Sequence, residues 1–119
     1  MKAYWNDCGD GPTSEAAREV GPGEAGSIWS NTVRGVEGNF LGLIDDGGRT
    51  VQFLYAADIP DGVDDASRLR IVLMDFPQPE QRSSYQRYVA IGEVRRLIAM
   101  VFETGADHRR FGALTVTPW

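Results

Sequence analysis

The sequence predicts a single α+β domain, an antiparallel sheet of about four to five strands with two main helices packed on it. Three observations predict it. Gly38–Ala56, GNFLGLIDDGGRTVQFLYA, places two runs of strand formers, Phe40–Ile44 and Thr50–Ala56, around the turn cluster Asp45-Asp46-Gly47-Gly48. Arg68–Phe76, RLRIVLMDF, is a third apolar run. Val89–Glu103 carries Ile91, Val94, Leu97, Ile98, Val101 and Phe102 at helical spacing. The strands follow one another through hairpin-scale loops, which calls for antiparallel pairing.

In chain order, residues 1–37 read as a helical and loop part, and residues 38–119 as the sheet plus the C-terminal helix. Lys2–Asn6 (KAYWN) is short and aromatic, an edge strand, and Cys8–Pro12 (CGDGP) is a turn. Ser14–Val20 is a marginal helix behind a Thr13 or Ser14 cap, with Glu15 close by. Gly21-Pro22-Gly23 breaks the chain. Glu24–Val36 reads as the first main helix: Ile28, Trp29, Val33 and Val36 form one stripe, and Gly35 and Gly38 terminate it.

In the second strand of the central hairpin, Val51, Phe53 and Tyr55 share one face, and Gln52, Leu54 and Ala56 the other. Apolar residues on both faces predict that one meets the helices and the other is partly covered. Ala57–Ser67 is an acidic loop. Pro77 should end the third strand, leaving Pro77–Tyr88 (PQPEQRSSYQRY) as a polar connector. Arg95, Arg96 and Glu93 line the wet side of the second helix, Thr104-Gly105 ends it, and Phe111–Pro118 is a last strand before Trp119.

The net charge of −5 is unevenly spread. Residues 1–36 carry five acids against three bases, residues 37–80 nine against three, and residues 81–119 three against six, giving −2, −6 and +3. An acidic middle argues against nucleic acid as a direct partner, since phosphate binding needs a basic surface. It suits a basic protein partner, and equally an ordinary solvated surface. No apolar run approaches the roughly 20 residues that span a bilayer. The opening MKAYWNDCGDG has no apolar core of a signal peptide, so the expected location is cytoplasmic. A single cysteine, Cys8, agrees with a reducing compartment.

Motifs for catalysis are sparse. The one histidine, His108, sits in the polar stretch GADHRR and reads as a solvated loop residue. One Cys and one His do not make a zinc site. Asp45-Asp46 and Asp64-Asp65 lack EF-hand spacing and read as turn chemistry. The glycines fit neither a dinucleotide nor a Walker pattern. With 17 acids in the chain, a glycosidase-like carboxylate pair is neither indicated nor excluded.

Two stretches carry a resemblance. One is GNFLGLIDDGGRTVQFLYA followed by VLMDFPQPEQRSSY; the other is the closing helix running into FETG (Phe102–Gly105), a short polar loop and a strand ending at Trp119. Over roughly Gly38 to Trp119 the chain resembles the small α+β immunity proteins of bacterial polymorphic-toxin and contact-dependent competition systems, in particular the group found beside deaminase-type toxins. The resemblance implies a non-catalytic inhibitor that binds a cognate toxin domain, of nuclease or deaminase type, and blocks its active site, with no metal or cofactor. An acidic loop set, Asp58, Asp61, Asp64 and Asp65, would enter a basic groove as a phosphate mimic. Tyr55, Phe76, Tyr85 and Tyr88 are the candidate aromatic anchors. Two other readings stand beside it: a small-ligand or regulatory binding module with a pocket between sheet and helices, and an enzyme built on a carboxylate pair.

Overall fold

The computed structural model describes all residues, Met1–Trp119. Its strands are β1 (Lys2–Asn6), β2 (Arg18–Glu19), β3 (Phe40–Ile44), β4 (Thr50–Tyr55), β5 (Val72–Gln78), β6 (Ser83–Val89) and β7 (Thr115–Pro118). They form one antiparallel sheet in the order β2-β1-β3-β4-β5-β6-β7. The α+β class and the antiparallel pairing agree with expectation; the strand number does not, since there are seven. Both helices, α1 (Pro22–Ser27) and α2 (Val94–Thr104), pack on one face. No helix is long and apolar enough to cross a membrane.

The extra strands come from two places. The first 37 residues supply β2 beside the expected β1, as well as α1, so this part belongs to the sheet. β1 is an internal strand, flanked by β2 and β3, rather than an edge. After it, Cys8 and Gly9 take positive φ values of 52° and 96°, the pair a two-residue turn needs to fold Asp10 back onto Asp7. The second place is the stretch expected as a polar connector, which is β6. Pro77 does not end β5. The backbone N–H of Ala56 donates to the Ile71 carbonyl, so alternate residues of β5, Pro77 included, turn their backbone groups toward β4. The β4 ladder stops at the Gln52–Asp75 pair, so the N–H that Pro77 lacks has no partner to lose.

The first helix is shorter than its apolar stripe. Pro22 occupies the first turn after Gly21, Glu24 lies near the positive end, and Gly23 and Gly26 weaken the interior. The chain then widens into a single π turn over Ile28–Thr32, closed by the Val33 N–H on the Ile28 carbonyl at 2.9 Å. That turn brings Ile28, Trp29 and Val33 into the core together. The helix expected from Val89 begins with a tight turn at Ile91–Glu93 and becomes α-helical at Val94. The Glu93 carboxylate accepts from the Ala90 N–H at 3.0 Å and fixes this start.

The core lies between the helices and the sheet face bearing Leu41, Leu43, Val51, Phe53, Val72 and Met74, all fully buried. From α2 come Val94, Leu97, Ile98 and Val101. The β3–β4 turn is tied to the exit of α2 through Asp45. Its carboxylate accepts from the Gly47 and Arg49 N–H groups, from Arg49 Nε at 2.8 Å and from the Ala106 N–H at 2.9 Å. Burial alone would raise this carboxyl. The Ala106 and Arg49 N–H groups and the Arg49 guanidinium outweigh it and hold the carboxyl below its usual range.

Candidate functional site

Strand alternation sends every second side chain to the sheet face opposite the two helices. Phe40, Leu54 and Leu73 on this face are half-buried and take no part in the core. Register aligns them. Asn6 pairs with Phe40, Phe40 with Leu54, Leu54 with Leu73 and Leu73 with Tyr88, so one transverse row crosses five strands. Tyr88 ends the row and is 53% exposed. Beside it lies a depression of about 320 Å³ lined by Leu73, Gln86, Ala113 and Thr115.

The next row is polar and internally satisfied. Tyr4, Gly42, Gln52, Asp75, Gln86 and Thr115 are successive partners. Gln52 Nε2 donates to Tyr4 Oη at 2.7 Å, and Gln86 Nε2 donates to Asp75 Oδ1 at 2.8 Å. Thr117 Oγ1 in turn donates to Gln86 Oε1 at 2.9 Å. These bonds hold long amide side chains flat along the sheet, so the apolar row stands beside a fixed polar one.

The apolar row lies at the end of the sheet from which the acidic loops leave. Asp58, Asp61, Asp64 and Asp65 follow β4, Glu37 precedes β3, and Asp10 follows β1. Their roles differ. Asp58 accepts from the Glu37 N–H at 2.7 Å, and Asp65 accepts from the Ser67 N–H and hydroxyl and faces Arg68 at 3.6 Å. Hydrogen bonds from Ser67 lower the Asp65 carboxyl. Asp61 and Asp64 bond to nothing in the chain. Arg34 pairs with Asp7 and Arg70 with Glu93, whereas Asp10, Glu37, Asp58, Asp61 and Asp64 enter no ion pair. Arg70 also donates to the Tyr88 carbonyl at 3.1 Å, which brings the base of the acidic loop against the end of the apolar row.

Of the four aromatic anchors, only Tyr88 stands free. Tyr55 is buried and stacks on Trp29, with centroids 4.8 Å apart and planes 6° apart. Phe76 is buried against Phe111. Both are core residues because odd positions of β4 and even positions of β5 point to the helices. Tyr85 is half-buried under His108, with centroids at 3.9 Å. His108 is therefore an aromatic stacking residue rather than a solvated one, and its ring also meets Phe76 edge-on. Phe40, Leu54 and Leu73 were not among the expected site residues. Their signal was present in the alternation of TVQFLY, which puts Thr50, Gln52 and Leu54 on a face too polar for a core.

No three His, Cys, Asp or Glu side chains converge on a point. The carboxyls displaced from their usual range are all displaced downward: Asp7, Glu15, Asp45, Asp65, Glu93 and Asp107. Asp107, held chiefly by Arg109, falls to about 2. Each of these carboxyls is held as an anion by hydrogen bonds, with an arginine beside Asp7, Asp45, Glu93 and Asp107. Comparison with protein-family models, with curated proteins and with solved structures gives no match.

Proposed function

We propose that the chain is a non-catalytic binding protein that neutralises a basic protein domain, a cognate toxin of nuclease or deaminase type, by covering its active site. The observation that carries this reading is the row Phe40–Leu54–Leu73–Tyr88, at the end of the sheet from which loops bearing carboxylates without ion pairs leave. An apolar strip supplies the area that is desolvated on docking, and an aromatic at its end is the usual anchor. Unpaired acids beside it attract a positive groove and set its register. Nucleic acid is a poor fit to the same surface, because both would be negative.

The test is co-purification from the source cell with tagged protein, followed by assay of the captured domain. One stoichiometric basic domain whose activity is suppressed in the complex supports the reading, provided Leu73→Lys abolishes capture. Equal capture by wild type, Leu73→Lys and the Asp61→Asn/Asp64→Asn double variant would reject this face as the contact.

A further inference from the structure

On the helical side of the sheet, between the π turn and the start of α2, lies an open cavity of about 410 Å³. Its size is that of a small-ligand site. Val33, Ile59 and Ile91 give it apolar walls. Its polar lining is of one kind. Trp29, Ser30, Tyr55, Arg34 and Arg95 all bring N–H or O–H donors, and no carboxylate lines it, in a chain with 17 acids.

Two of these donors are nine-tenths buried and unpartnered. Trp29 is 3% exposed and Tyr55 4%. Neither Trp29 Nε1 nor Tyr55 Oη bonds within the chain, yet no enclosed side-chain nitrogen or oxygen lacks a partner. Both atoms therefore keep some solvent access, and both side chains line the cavity. Burial raises the Tyr55 phenol, which keeps it a neutral donor.

Arg95 is the cation of the site. Arg34 is engaged by Asp7 at 3.0 Å, whereas Arg95 faces no carboxylate. Its Nη1 donates to Ser30 Oγ at 3.0 Å, and its Nη2 lies 2.9 Å from where a Cβ on Gly26 would stand. A side chain at Gly26 would displace the guanidinium, so glycine there seats it against α1. A fixed, unpaired guanidinium beside two unpartnered donors and an apolar wall is a recognition set for an oxyanion on an apolar body.

We propose that this cavity binds a small organic anion of the aromatic carboxylate class. The carboxylate accepts from Arg95, with Tyr55 Oη and Trp29 Nε1 as further donors, and the ring packs among Val33, Ile59 and Ile91.

The test is titration of the ¹⁵N-labelled full chain with 1-naphthoate, 1-naphthamide and inorganic phosphate. Naphthoate is expected to give saturable shifts at the Trp29 indole N–H and at Gly35 and Gly92. Naphthamide should bind about ten-fold more weakly or worse, through loss of a charge-assisted bond. Arg95→Gln, an exposed position that leaves the fold intact by circular dichroism, should show the same loss for naphthoate, and Tyr55→Phe a smaller one. Equal affinity for acid and amide, or an unchanged Arg95→Gln variant, would overturn the proposal. So would shifts confined to the open sheet face. Phosphate binding as tightly as naphthoate at the same residues would overturn the aromatic class.

Discussion

The phenol ring of Tyr4 occupies the space that a side chain on Gly42 would fill. The two residues are direct partners across β1 and β3, and a Cβ on Gly42 would fall within the ring, against Cζ, Cε1 and Cε2. Glycine at the centre of a strand costs backbone entropy, and here the ring of the neighbouring strand covers the gap. Tyr4 is thereby only 6% exposed, on the face opposite the two helices.

Gly42→Ala should therefore destabilise the fold by about 1–3 kcal/mol, the usual range for overpacking. Tyr4→Ala in the same chain should relieve much of that penalty. Urea unfolding of the two single variants and the double variant measures the coupling, and strict additivity would show that the ring moves aside freely.

The two faces of β4 should respond unequally. Phe53 is fully buried, and Phe53→Ala should cost about 3–5 kcal/mol. Its chain neighbour Leu54 lies on the open face, and Leu54→Ser should cost about 1 kcal/mol or less. Denaturation midpoints compare them directly.

Asn39 joins three segments through one amide. Its Nδ2 donates to the Arg34 carbonyl at 3.0 Å and to Asp7 Oδ1 at 3.1 Å, while its Oδ1 accepts from the Cys8 N–H at 2.8 Å. Asn39→Ala should cost about 1–3 kcal/mol, because partners remain without their bonds. Hydrogen exchange at the Cys8 amide should rise more than at Gln52, in the middle of the sheet.

Acid should loosen the β3–β4 turn and the chain after α2 together. Asp107 stays ionised down to about 2 in the fold, against 3.8 as its ordinary value. Its carboxylate meets Arg109 at 2.9 Å and Arg49 at 3.6 Å. The unfolded chain takes up this proton first, so the contribution is complete above about pH 4 and is lost as pH falls through about 2. Thermal midpoints measured between pH 6 and pH 2 should fall less steeply for Asp107→Asn than for wild type.

Asp61→Asn with Asp64→Asn should leave the thermal midpoint unchanged, since neither carboxylate has a partner in the chain. Association with a basic partner should slow and lose part of its salt dependence. Stopped-flow kinetics at two ionic strengths reads both effects.

The central hairpin was legible because its turn chemistry is local: Asp45 and Gly48 fix the reversal whatever lies around them. The core of α2 was legible from periodicity alone. β6 was not, because Ser83–Val89 has polar Ser84 and Gln86 on one face and Arg87 on the other, its guanidinium reaching the Phe111 carbonyl. Only pairing with β5 makes that segment a strand. β2 has just two residues and exists through its bonds to β1. The acidic loop was legible as acidic, whereas its neighbour in space, the row from Phe40 to Tyr88, depends on a register that no single segment contains.

The order of the strands also sets an order in time. β3 to β6 form a run of neighbours, each joined to the next through one connection without a main helix, so their pairing closes comparatively short loops. β1 instead joins Lys2 to Ile44 across α1 and the π turn. Long-range pairing of this kind comes late when local pairs are available to form first. A nascent sheet would thus present the bare edge of β3, with Gly42 uncovered, until the first six residues close over it.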